Sequence, residues 1–182
     1  MNVSARQFRQ PGFVDEVERT LRETGADPAR LKIELTESIV IDNVDDTIAV
    51  LKRLQALGIG LSMDDFGTGF SSLSYLKLLP LEQLKIDRHF VDEITSDPND
   101  AAIVQTIVAM GRTLGLDVIA EGVETEAQCR ILDQFGCLAF QGYLFSKPLP
   151  LSEFEHYLET VAKPDTYRKE RWFMDVGLKG QP

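Results

Sequence analysis

The segment Ile59-Gly60-Leu61-Ser62-Met63-Asp64-Asp65-Phe66-Gly67-Thr68-Gly69-Phe70-Ser71-Ser72-Leu73 runs from a short apolar strand through two adjacent acids into a loop rich in Gly and Ser. Neighbouring strand residues point to opposite faces. Two adjacent acids therefore reach one place only if the strand ends between them and the backbone turns. The glycines that follow permit such a turn. The same arrangement recurs along the chain. Glu34 lies in Leu31-Lys32-Ile33-Glu34-Leu35, Lys85 in Leu84-Lys85-Ile86-Asp87, Glu121 follows Val118-Ile119-Ala120, and Gln141 follows Leu138-Ala139-Phe140. Asn2 leads Val3-Ser4. Acids and amides at so many strand ends imply one oxygen-rich site at the C-terminal mouth of a β/α barrel.

Between the strands the spacing predicts helices. Phe13, Val17 and Leu21 share a face over 13–24, and Gly25 stops that helix. Ile48, Leu51, Leu54 and Leu57 mark a helix over 44–57. Ile103, Ile107 and Met110 mark another over 101–113, after the turn Asp97-Pro98-Asn99-Asp100. Thr125 reads as the N-cap of a helix over 126–135, and Leu151-Ser152-Glu153-Phe154 starts a last one. Six strands alternating with helices give a parallel sheet with helices outside. A closed barrel of this kind needs eight strands and about 250 residues. The expected fold is therefore α/β, a modified TIM-type (β/α) barrel, incomplete by about two strands at its N-terminal side. Residues 1–162 form its one domain, and 163–182, with Trp172-Phe173-Met174, read as a C-terminal tail.

The net charge of −10 repels long polyanions and argues against a duplex nucleic-acid partner. No apolar run is long enough to cross a bilayer and the N-terminus has no signal-peptide pattern. The expected location is the cytoplasm without direct membrane insertion, any membrane anchor belonging to a parent protein. Cys129 and Cys137 lack zinc-type spacing and read as buried small hydrophobes. His89 and His156 show no metal spacing.

Two carboxylates held as close as Asp64 and Asp65 repel unless a cation neutralises them. A pair of hard divalent ions at about 3.5–4 Å spacing meets that need. Glu34 would face the barrel mouth. Glu37, beyond the strand, would accept hydrogen bonds from a neighbouring loop, a solvated charge being the competing reading. A lysine inside a barrel, such as Lys85, needs a depressed pKa or a carboxylate neighbour. Asp87, on the same strand face, is its expected partner, and an outward-facing lysine is the alternative. Glu121 would ligate, and Glu124 reads as a loop charge. Gln141 offers an amide to water or substrate, or else is a satisfied buried glutamine. The all-oxygen set favours Mg²⁺ or Mn²⁺ over zinc. Two such ions can clamp a phosphodiester. No Ser–His–Asp arrangement is present, and the Gly-rich loop lacks the P-loop Lys-Ser/Thr.

Taken together, Asn2-Val3-Ser4-Ala5-Arg6-Gln7-Phe8, Glu34-Leu35-Thr36-Glu37-Ser38, Asp64-Asp65-Phe66-Gly67-Thr68-Gly69-Phe70-Ser71-Ser72-Leu73, Leu84-Lys85-Ile86-Asp87, Glu121-Gly122-Val123-Glu124-Thr125 and Gln141-Gly142-Tyr143-Leu144-Phe145-Ser146-Lys147-Pro148 match one family in order and spacing. Over residues 1–160 the chain resembles the EAL domain, the bacterial cyclic-di-GMP-specific phosphodiesterase. The resemblance implies a modified barrel whose first strand runs antiparallel to the rest. It implies hydrolysis of cyclic-di-GMP to linear pGpG, supported by two Mg²⁺ or Mn²⁺ ions and inhibited by Ca²⁺. Carried over by motif, Asn2, Glu34 and Asp64 bind one ion. Asp64 bridges to the second, which Asp65 and Glu121 complete. Lys85 holds the attacking water, and Glu37 anchors the loop from Asp65 to Leu73, so that Lys85, Glu37 and Asp65 carry the catalytic roles. Gln141 and Asp87 stand on the substrate side. A homodimer, and a sensory or GGDEF-type domain in a longer parent protein, are the implied partners.

Two departures stand out. The Glu-Ala-Leu segment, with one metal-ligand glutamate, lies upstream of Asn2 in the family pattern. His89 stands where a serine-like residue is common. Hydrolysis by this chain alone is therefore expected to be impaired. The competing reading is a cyclic-di-GMP receptor or interaction module that binds without turnover. A third is a barrel enzyme using Lys85 as a base beside a metal-held enolate.

Overall fold

The computed structural model describes residues 1–37, 39, 44–69 and 73–161. Ser38, Phe70-Ser71-Ser72 and the expected tail lie outside the described residues. The elements run α1 (Ala5–Phe8), α2 (Phe13–Thr24), β1 (Lys32–Thr36), α3 (Val44–Ala56), β2 (Gly60–Phe66), α4 (Leu73–Leu76), β3 (Gln83–Ile86), α5 (Arg88–Asp92), α6 (Pro98–Leu114), β4 (Asp117–Ala120), α7 (Glu126–Phe135), β5 (Ala139–Phe140) and α8 (Leu151–Val161). A 3₁₀ turn at Pro28–Arg30 leads into β1. Helix starts follow side-chain chemistry. The Asp97 carboxylate accepts from the Asn99 N–H with Pro98 in the first turn of α6, and Thr125 and Gln128 form a reciprocal capping box on α7.

All strand pairs are parallel, in the order β1-β2-β3-β4-β5. Among the described residues the sheet stays an open arc with β1 and β5 at its edges, an incomplete (β/α) barrel. The expected strand at Asn2-Val3-Ser4 reduces to a single parallel bridge between Asn2 and Glu34. The Val3 N–H donates to the Glu34 carbonyl at 3.0 Å and the Glu34 N–H to the Met1 carbonyl at 2.9 Å. These bonds bracket Asn2 against β1.

Parallel strands covered by helices bury long apolar runs. Ile33, Leu35, Leu61, Met63, Leu84 and Ile86 are all but inaccessible, packed under Leu51, Leu54, Val104, Val108 and Leu132 from the helices. The inward face of α6 differs from the expected one. Val104, Ile107, Val108 and Gly111 are buried, whereas Ile103 is 37% exposed. A Cβ at Gly111 would lie 2.3 Å from Val118 Cγ2, so α6 meets β4 along this strip. Cys129 and Cys137 are buried, as expected, and not joined in a disulfide, and burial pushes Cys137 up to about 11. No helix among the described residues is long and apolar enough to cross a membrane.

Candidate metal centre

β1 alternates between buried Ile33 and Leu35 and half-buried Lys32, Glu34 and Thr36, which puts the Glu34 carboxylate on the mouth side. The register then pairs Thr36 with Asp64 on β2 and Ile86 with Ala120, so that Glu121 emerges beside β3. The Glu121 N–H donates to the Ile86 carbonyl at 3.2 Å. Strand β2 does not stop between Asp64 and Asp65. It continues to Phe66, and the turn is made by a register shift between Met63 and Phe66. Asp65 takes up that shift in the left-handed region, φ 53°, the one non-glycine positive φ among the described residues. A bulge of this kind re-aims a side chain. Here it lets consecutive acids share one site.

Lys85 sits at the centre of the cluster. Its Nζ lies 2.9 Å from Glu34 Oε2, 3.0 Å from Asp64 Oδ1 and 2.5 Å from Glu121 Oε1, with the side chain 6% exposed. Asp87 is not among the ion-pair partners described for this lysine. It caps α5, accepting from the His89 N–H at 2.7 Å, and stands beside Asp65, whose protonated form it favours. Burial disfavours the Lys85 ammonium, yet the surrounding carboxylates of Glu121, Glu34 and Asp64 outweigh it and raise its pKa. The expectation of a carboxylate neighbour is met, and the depressed pKa is not. Asp65 is raised to about 6, first by burial, then by the Asp64 charge and the Asp87 hydrogen bond. Glu121 is raised by burial, against the pull of Lys85.

Glu37 is 3% exposed and is not a solvated charge. Its Oε2 accepts from the Gly67 N–H at 3.4 Å and the Gly69 N–H at 3.1 Å, tying the loop after β2 to the end of β1. A Cβ at Gly69 would stand 2.8 Å from Glu37 Cδ, so a side chain there would push against the Glu37 carboxylate. Gln141 is exposed rather than buried, its main chain held between the Ala120 carbonyl at 2.8 Å and the Val123 N–H at 3.1 Å. Beside it, a Cβ at Gly142 would meet the Val123 carbonyl oxygen at 2.1 Å.

The sequence reading missed the links behind the site. Glu124 is no plain loop charge but pairs with Arg88 at 3.1 Å. Gln128 joins α7 to α5 through the Val91 carbonyl at 3.0 Å. Only the Thr125-x-x-Gln128 spacing hinted at this.

The EAL domain family model matches residues 1–148. The chain belongs to the EAL domain family. It is 49% identical over 162 residues to the bifunctional diguanylate cyclase/cyclic di-GMP phosphodiesterase MucR of Pseudomonas aeruginosa, covering 89% of this chain and 23% of MucR. It is 46% identical over 158 residues to the cyclic di-GMP phosphodiesterase NbdA of the same organism, covering 87% of this chain and 20% of NbdA. The chain thus spans less than a quarter of the length of these relatives. The solved MucR phosphodiesterase in complex with c-di-GMP superposes with a TM-score of 0.82 over 84% of this chain and 62% of that one. BlrP1 of Klebsiella pneumoniae, solved with manganese and cyclic-di-GMP, is 36% identical with a TM-score of 0.74, covering 81% of this chain and 38% of that one.

The donor atoms of this EAL domain fit a hard divalent ion. Carboxylate oxygens of Asp64, Asp65 and Glu121 lie within 4.8 Å of one another. Asp64 Oδ1 is buried without a hydrogen bond, with the Lys85 ammonium as its counter-charge. The Asn2 amide lies 3.2 Å from both Asp64 Oδ2 and Glu34 Oε2 when its NH₂ group is turned toward them. Turned the other way, its oxygen faces acceptors alone, an arrangement that a cation between them satisfies.

Proposed function

We propose that this EAL domain hydrolyses cyclic-di-GMP to linear pGpG at the strand-end cluster, with two Mg²⁺ or Mn²⁺ ions. The convergence of Asn2, Glu34, Asp64, Asp65 and Glu121 at one mouth carries the reading. Asn2, Glu34 and Asp64 would hold one ion, and Asp64, Asp65 and Glu121 the second. When bound, the pair would neutralise the phosphodiester and supply the nucleophilic water at neutral pH.

The chain's own residues do the rest. Lys85 is held as an ammonium by its carboxylates, so it orients a water as a donor and does not act as a base. Glu37 fixes the loop after β2, keeping Asp65 aimed inward. Asp87 stands beside Asp65 and favours its protonated form. The exposed Gln141, whose N–H donates to the carbonyl of Ala120 next to Glu121, would offer its amide to the dinucleotide. Calcium, which is too large for the near-octahedral geometry of Mg²⁺, would compete and inhibit.

Among the described residues the sheet is an open arc, and turnover by these residues alone would be weaker than by a closed barrel. MucR, a bifunctional diguanylate cyclase/cyclic di-GMP phosphodiesterase, is the precedent for a longer parent protein, and the proposal extends to a GGDEF-type or sensory domain there, a homodimer and a cytoplasmic site. The test is Mn²⁺-dependent formation of pGpG, followed by chromatography beside calorimetry with cyclic-di-GMP. Binding without pGpG would favour the receptor reading. A folded protein without affinity for Mn²⁺ would end the proposal.

A further inference from the structure

One buried amide ties down the loop that carries Glu121. Gln128, in the first turn of α7, is 6% exposed. Its Oε1 accepts from the Glu124 N–H at 2.8 Å, the Thr125 N–H at 2.8 Å and the Thr125 hydroxyl at 3.1 Å. Its Nε2 donates to the Val91 carbonyl of α5 at 3.0 Å. A capping box explains the bonds to Thr125. The bonds to Glu124 and Val91 go further, because they join two separate strand-end segments.

Those two segments follow the neighbouring strands β4 and β3, and each carries part of the cluster. Residues 121–125 begin with Glu121. Helix α5 is capped by Asp87, whose carboxylate stands beside that of Asp65. Arg88 adds an outer seam: it pairs with Glu124 at 3.1 Å, and its Cγ would be 2.3 Å from a Cβ at Gly122. That ion pair is partly exposed and screened by solvent. Gln128 is the sheltered link, where a hydrogen bond is strongest and its loss is felt most. Carboxylates that repel one another stay in place only if their supports are rigid.

We propose that Gln128 is a positioning residue for the cation site: by joining the Glu124–Thr125 main chain to Val91, it sets the separation of Glu121 from the Asp65–Asp87 pair. It touches neither cation nor substrate. The inference rests on the EAL reading above.

The test is calorimetric titration of the full chain with MnCl₂, comparing wild type, Gln128→Met, Gln128→Glu and the core control Val14→Ala. Gln128→Met weakens Mn²⁺ binding about tenfold or more, the size expected when an outer support of a metal ligand is removed. Val14→Ala lowers Tm yet binds Mn²⁺ within about twofold of wild type. Amide exchange at Glu124 quickens in Gln128→Met. If Gln128→Met does not fold, Gln128→Glu decides, with binding about threefold weaker expected because it keeps the acceptor but loses the donor to Val91. Folded Gln128 variants that bind like wild type would overturn the inference and leave the EAL reading intact. Wild type without Mn²⁺ affinity would overturn both.

Discussion

Two trios of acids among the described residues bring carboxylate oxygens within 4.8 Å of one another: Asp64, Asp65 and Glu121 at the strand ends, and Glu93, Asp97 and Asp100 around the start of α6. Their spacing is alike and their surroundings are not. Glu93 is exposed, and Asp97 already binds the Asn99 N–H at 2.7 Å. The positive end of a helix suits Asp97 and Asp100 without any ion. The strand-end trio faces a buried lysine, contains an Asp64 oxygen without a hydrogen bond, and is raised at Asp65 and Glu121 by burial. Clustered carboxylates alone are therefore weak evidence for a cation. What matters is whether the fold has already met their needs.

The contrast is broken most easily by neutralising one acid in each trio. Asp64→Asn should weaken Mn²⁺ binding by about 100-fold or more, beyond the usual loss for an outer support. Asp100→Asn should leave it within about twofold. Titrations with MnCl₂ that returned similar losses would erase the distinction.

The next effect is on folding. Lys85→Met leaves Glu34, Asp64 and Glu121 without their counter-charge. The metal-free protein should lose about 3–5 kcal/mol in urea unfolding. Mn²⁺ should return part of it. No recovery with Mn²⁺ would mean that the trio is only a salt-bridge network.

A smaller effect follows from Asp65, whose pKa stands at about 6 against an ordinary 3.8. Between those values the folded state holds more protons than the unfolded one. Stability from this group is therefore lost as pH rises through about 6. Asp65→Asn removes that loss, so the Tm gap in favour of the variant should be wider at about pH 7 than at about pH 4.5 in metal-free protein. An equal gap at both would contradict it. The smallest effect concerns the other trio. Asp97→Ala should cost about 1 kcal/mol as a lost N-cap. Its Mn²⁺ isotherm should not change.

The ligand-bearing positions were legible because strand ends are legible. A short apolar run followed by an acid puts that acid at the mouth wherever the sheet goes. What stayed hidden depended on contacts between elements. The turn between Asp64 and Asp65 was foreseen but was assigned to a strand end. It comes instead from Asp65 in a left-handed bulge, which no local signal distinguishes from an extended aspartate. The inward face of α6 was misjudged at Ile103, because its choice depends on β4 approaching over Gly111. Spacing alone could not decide how Lys85 is charged, and three acids from three other segments do. For Gln128, half of the signal was local and half was not: Val91 lies 37 residues away.

At Gly142 the Val123 main chain fills the room that any side chain would need. Every substitution there must prise two neighbouring crossings apart. In a saturation survey such a site would look as indispensable as Asp64, for reasons of bulk rather than reactivity. Abundance and turnover have to be scored side by side before intolerance at an EAL mouth is credited to chemistry.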